Sequence, residues 1–285
     1  MTFFFGLLLY DRCNTIKHAI DEYLNQKKYI DALEMHQDAP FAYVWFLICL
    51  FHDLGYTIEN KADLEYSDYD KLEQSKSWRE DVDGVPQIFK EVLPNYFKYR
   101  NSCTKEKDGV KAANDHGICA AHYMYAELCS IQEKKKKLQN EDSKWWKDEL
   151  KVIFNLTAWV VASHNIWAIT ESAKEDKIIR YKEAGLEKLI LKRNQEGNLD
   201  YLIKLEEHPF LFLFCLVDTI EPVKVVEDIR LLDKIDMEIA EEGLKIDIKL
   251  ICQCRNRLLS NIEGLKDWLT NVSVSGNTGR ICLHY

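Results

Sequence analysis

Apolar residues recur along this chain in long runs at helical spacing, and only 11 glycines and 5 prolines interrupt them. That pattern predicts a mainly α-helical protein. Helices are expected over about 12–28, 39–54, 110–138, 145–168, 209–221 and 253–269. The opening MTFFFGLLLYDR is apolar too. It has no basic start and no small-residue cleavage site, and its run falls far short of the roughly 20 residues a membrane span needs. It reads as a first core-facing segment.

Between about 227 and 250 the period changes. KIDMEIA and GLKIDIKL alternate apolar and polar positions around EEG, as a β-hairpin does. The final VSVSGNTGRICL repeats the device around SGNTG, so a small sheet is expected at the C-terminal end. The region 173–206, with IIRYKEAG and LILKRNQEGNLDYL, reads as a hairpin or a lid, and 60–108, rich in charge and tyrosine, as a long surface insertion. With no Pro/Gly/Ser-rich linker and no internal repeat, the expected organisation is one helical domain over 1–225 with those two insertions, carrying a small α+β extension over 226–285.

Composition narrows the function classes. The chain has 285 residues, 47% hydrophobic and 30% charged, enough for a substantial core. A net charge of -9 argues against binding to extended nucleic acid, while leaving room for a local phosphate pocket. Nine cysteines in no paired framework read as reduced thiols of a cytoplasmic protein. Cys252 and Cys254 form a lone C-x-C, a weak zinc signal without a second pair. The lysine run EKKKKLQNEDSK, diluted at once by acids, reads as a solvated helix end.

The candidate chemistry lies where metal-capable side chains end or line apolar helices. FHDLGY closes the run YVWFLICLF with His52 and Asp53; an ordinary reading makes this a helix end with Gly55 as its stop signal. Other residues resemble them in placement. His18 lies in RCNTIKHAIDEYL with Ile16, Ile20, Tyr23 and Leu24 near it at helical spacing; Asp115 and His116 lie in NDHGICAAHYMY, where Asn114 or Asp115 suits an N-cap. His164 nears the end of LTAWVVASHNIW, and Asp218 follows the apolar stretch of HPFLFLFCLVDTIEP. A carboxylate inside such a run loses several kcal/mol of solvation unless it is paired or bound to a cation. Singly each histidine reads as an ordinary core or surface residue. Together they form an ordered series, each on its own apolar helix.

The motifs FHDLGY, DHGICAA, ASHNIW and LVDTIEP resemble those of the HD superfamily of metal-dependent phosphohydrolases, over about residues 10–225. The resemblance implies an HD-domain-like helical bundle in which a first histidine, an adjacent His-Asp pair and a later aspartate hold a divalent metal. His18 precedes His52 by 34 residues and Asp218 follows Asp53 by 165, spacings compatible with that family if the second half carries insertions. His116 and His164 resemble the additional ligands of its binuclear branch. One departure is local: some mononuclear members have a glutamate three residues after the pair, where this chain has Tyr56, with Glu59 the nearest acid.

On that resemblance, His18, His52, Asp53 and Asp218 hold one metal and Asp53, His116 and His164 a second. Mixed imidazole and carboxylate ligation suits Mn, Fe, Co, Ni or Zn, with Mg also admissible. Asp115 is either an acceptor orienting an imidazole or a helix cap, and Lys224 either a partner for a substrate phosphate or a surface lysine. The implied activity is hydrolysis of a nucleotide, cyclic nucleotide or other small phosphoester, with no membrane or extended nucleic-acid partner. Two alternatives share the ligands: a di-iron oxygenase of a small polar substrate, and a non-catalytic nucleotide-binding protein. The C-terminal 60 residues resemble no family.

Overall fold

Two of the apolar runs begin with the dipeptide Pro-Phe, and each starts its helix there, at Pro40 and at Pro209. Proline suits this position because its missing N–H would have had no partner in the first turn. The computed structural model describes residues 2–34, 39–55, 116–138, 145–164, 192–193, 199–200, 203–221, 235–241, 243–248, 253–275 and 280–283. Within them the helices are α1 (Thr2–Arg12), α2 (Asn14–Leu24), α3 (Lys27–Leu33), α4 (Pro40–Phe51), α5 (His116–Lys137), α6 (Leu150–Ser163), α7 (Pro209–Ile220) and α8 (Gln253–Gly264), followed by a 3-10 turn over Leu265–Asp267. The strands are β1 (Lys192–Arg193), β2 (Leu199–Asp200), β3 (Ile235–Ala240), β4 (Gly243–Ile248), β5 (Val272–Ser275) and β6 (Arg280–Leu283). The protein is thus mainly helical with a small antiparallel sheet near its C-terminal end. No helix among the described residues is long and apolar enough to cross a membrane.

The chain separates into two compact units. One comprises Met1–Gln26 and Tyr201–Tyr285, the other Lys27–Asp200. Residues on both sides of the expected border at 225 therefore share the first unit.

In the first unit α7 is the central element: every residue from Pro209 to Val217 is buried, as expected for a helix apolar on all sides. α1 and α2 pack on it and on each other. Phe5 and Leu9 of α1 and Ile16, Ile20 and Leu24 of α2 supply the core, whereas Phe4 and Leu8 on the other side of α1 are exposed. The opening segment therefore faces the core along one side only. At the start of α1 the buried Glu221 carboxylate accepts hydrogen bonds from the Thr2 backbone N–H (3.0 Å) and hydroxyl (2.6 Å). The four-stranded sheet of this unit has the order β3-β4-β6-β5, every pair antiparallel. Its β3–β4 turn meets the helices where the Thr15 N–H donates to the Glu241 carbonyl at 3.3 Å. Gly243 opens β4 with φ +152, and a side chain there would collide with the backbone of Ile281 and Cys282. This is a position only glycine fills without strain.

In the second unit α6 is central, buried continuously from Ile153 to Ala158 and from Val160 to Ser163. α3, α4 and α5 all pack against it. Fully buried Phe41 and Trp45 stack within α4, ring centroids 5.9 Å apart. β1 and β2 form a short antiparallel pair inside the expected 173–206 hairpin or lid region. The expected helix 12–28 is two helices, because the chain bends at Asn25 and Gln26 before α3 begins. The expected insertion 60–108 lies outside the described residues, as do Asn114, Asp115, Tyr56, Glu59, Lys224 and Cys252.

Candidate metal centre

Two helices of the second unit end in the same way. α4 stops at Phe51, and His52 caps it with helical dihedrals (φ -54, ψ -41), its backbone N–H donating to the Ile48 carbonyl at 3.1 Å. The His52 ring turns back on the same helix, where Nδ1 lies 2.8 Å from the Cys49 carbonyl oxygen. α6 stops at Ser163, and His164 caps it (φ -62, ψ -24), its N–H donating to Val160 at 3.1 Å and its Nδ1 lying 2.6 Å from the Val161 carbonyl. A carbonyl can only accept, so each Nδ1 carries the hydrogen and each ring presents Nε2 outward from its helix end. This arrangement satisfies one of the last carbonyls of each helix and fixes the tautomer that a metal-binding imidazole needs.

The rings converge. His164 lies edge-on to His52, centroids 5.8 Å apart, and to His116, the first residue of α5, at 5.1 Å. Asp53 reaches both of the other two: Oδ2 lies 3.0 Å from His52 Nε2, and Oδ1 lies 3.4 Å from His116 Nε2. One ligand atom each from Asp53, His116 and His164 falls within 4.8 Å of the others, so this His/His/Asp group could hold a metal ion. Donors around a tetrahedral ion bonded at about 2.1 Å stand about 3.4 Å apart, the separation of Asp53 Oδ1 from His116 Nε2. The donor set fits as well: two imidazoles and one carboxylate suit a divalent transition ion.

Electrostatics favour the same role. Burial, and then the neighbouring His116, hold His164 well below the ordinary imidazole range. A buried histidine kept neutral retains its lone pair for a cation. Asp53 supplies the negative charge, its side chain 47% exposed while the His116 side chain is 4% exposed. The cluster is thus open on the carboxylate side.

Two glycines fix how closely these segments approach. The ordinary reading of FHDLGY makes Gly55 the stop signal of α4, but that helix ends at Phe51, and Gly243 is the only described glycine with positive φ. What Gly55 provides is space. A Cβ there would lie 2.6 Å from the His116 carbonyl carbon and 2.9 Å from its Cα. At Gly117 a Cβ would lie 2.9 Å from Nδ1 and 3.0 Å from Cε1 of His164, and closer still to the Val161 carbonyl oxygen.

Of the residues singled out from sequence, the second unit brings together His52, Asp53, His116 and His164. His18 and Asp218 belong to the first unit, on α2 and α7, which pack against each other. His18 is exposed and Asp218 half-buried. The desolvation argument for Asp218 weakens accordingly, since α7 opens to solvent at 218–219 just after its last fully buried turn. Asp115 and Lys224 lie outside the described residues. A buried histidine and a buried glutamate escaped the sequence reading. His122 lies on α5 six residues beyond His116 and is 2% exposed; Glu221, also in the quoted LVDTIEP, is 5% exposed. At about 100° per residue, six residues place His122 on a different face of α5 from His116.

Comparison of the chain with protein-family models, curated proteins and solved structures gives no match.

Proposed function

We propose that the protein is an HD-type metal-dependent phosphohydrolase acting on a nucleotide, cyclic nucleotide or other small phosphoester. The observation that carries this reading is the meeting of Asp53, His116 and His164, three residues distant in sequence whose ligand atoms lie within 4.8 Å of one another. Its other support is the order of the motifs FHDLGY, DHGICAA, ASHNIW and LVDTIEP along the chain.

Bound at this group, a divalent cation supplies Lewis-acid chemistry for attack of water on a phosphoester. The residues of the chain have separate tasks. Cys49 and Val161 carbonyls orient the His52 and His164 rings. Burial keeps His164 neutral. Asp53, between two imidazoles, provides the charge that makes a dication welcome there.

The test is a screen of nucleotides, phosphoesters and small polyols with protein loaded with Mn, Fe, Co or Ni, run with and without oxygen. Phosphate release in the absence of oxygen supports hydrolysis. Turnover that needs both iron and oxygen would replace this reading with an HD-type oxygenase, and tight nucleotide binding with no turnover would replace it with a non-catalytic one.

A further inference from the structure

Gly55 and Gly117 flank the metal-capable residues, and neither has the positive φ that would explain a glycine by its backbone. We propose that both are positioning residues of the metal centre, their missing side chains setting the distances between its donor atoms. The inference rests on the reading of Asp53, His116 and His164 as a cation site.

Each glycine acts on a different pair. Gly55 follows Asp53 by two residues, and the atoms a methyl would strike there, the carbonyl carbon of His116 at 2.6 Å and its Cα at 2.9 Å, are backbone. They cannot rotate aside, so the segment carrying Asp53 must move off the start of α5. The 3.4 Å separation of Asp53 Oδ1 from His116 Nε2 spans that same contact and opens with it. Gly117 follows His116 directly. A methyl there meets the His164 ring at 2.9 and 3.0 Å, together with the Val161 carbonyl that accepts the hydrogen bond of that ring. It therefore displaces both a donor and the group that orients it. Gly264, which ends α8, has nothing within 4 Å of an added Cβ and serves as a control for glycine replacement as such.

The experiment titrates the full chain with cobalt(II), recording affinity, the visible absorption of the bound ion, and helix content and melting of the metal-free protein. Gly55→Ala and Gly117→Ala are each expected to bind cobalt at least about tenfold more weakly, the range typical of losing a group that orients a ligand, and to alter the cobalt spectrum. Gly264→Ala should change neither. A purely structural role lowers the melting temperature of the metal-free protein but leaves affinity and spectrum of the folded fraction at wild type, and that result overturns the proposal. Any variant that folds decides it. If both fail to fold, the glycines serve the packing of the unit rather than the site, and the proposal falls. A wild-type chain that binds no cobalt removes the cation reading itself, an outcome distinct from a cobalt-binding wild type whose glycine variants bind equally well.

Discussion

Replacing Asp53 by Asn changes one charge in the cluster and almost no volume. Unit charges about 4 Å apart near a protein surface interact by roughly 4 kcal/mol, so a dication gains up to about 8 kcal/mol from this carboxylate. The Asp53 side chain is 47% exposed, and water takes over part of that interaction. The Asn carbonyl oxygen also remains as a neutral ligand. Retaining somewhat over half of the original attraction leaves a loss of about 3 kcal/mol, roughly a hundredfold in affinity. The fold should survive, because α4 already ends at Phe51 and its cap is His52, whose backbone N–H and ring Nδ1 are held by the Ile48 and Cys49 carbonyls. The assay is competition for zinc or cobalt against a chromophoric chelator, beside circular dichroism of the metal-free protein and turnover on whichever phosphoester the screen identifies. A folded Asp53→Asn protein with wild-type affinity would falsify the assignment of Asp53 as the charge that attracts the cation, and FHDLGY would be an ordinary helix end.

Elemental analysis of protein purified without chelator should find about one to two equivalents of transition metal, and His116→Ala or His164→Ala should each remove about one of them; unchanged stoichiometry in both variants contradicts a site at this cluster. Glu221→Gln places an amide where a buried carboxylate accepts from the Thr2 N–H and hydroxyl. A loss of about 1–3 kcal/mol in urea unfolding is expected, and no loss would mean that the pair contributes nothing net to the first unit. Burial, followed by the charge of Asp218, pushes the Cys215 thiol well up, so Cys215 should label with a thiol reagent only as the protein unfolds, while half-buried Cys49 labels in the native state. Mapping the labelled peptides checks this, and early labelling of Cys215 would contradict its burial. Gly243→Ala, at φ +152 against the backbone of Ile281, should destabilise by more than about 1 kcal/mol, seen as a lowered melting temperature.

Helix and strand identity were legible in sequence wherever burial follows one period. The alternation in KIDMEIA, GLKIDIKL and VSVSGNTGRICL marks β3 to β6, and the apolar runs mark α4, α6 and α7. Pairing was not legible. β6 lies between β4 and β5, and the alternation of a strand says which residues share a face, not which strand is its neighbour. The break between α2 and α3 carries no proline or glycine to announce it. At the candidate site, His52 and His164 could be found because each closes an apolar run, and His116 because it opens a helix, whereas their meeting is set by packing. The purpose of Gly55 could not be found that way. Its sequence neighbours suggest a helix stop, whereas its reason is the backbone of His116, some 60 residues further along the chain. Asp218 and Glu221 show the same gap: three residues apart, one is half-exposed and the other buried, and only the packing around the end of α7 separates them.

The matched endings of α4 and α6 have an electrostatic consequence. Aligned peptide dipoles leave roughly half a negative charge at a helix C-terminus and half a positive one at an N-terminus. Among the described residues the C-terminal ends of α4 and α6 carry His52 and His164 to the cluster. Each of these two ends sets negative partial charge near the full charge of Asp53. These two helix ends and the Asp53 carboxylate repel an approaching anion and attract a dication. Under the proposed phosphohydrolase reading this sets an order of occupancy, the cation before a phosphate.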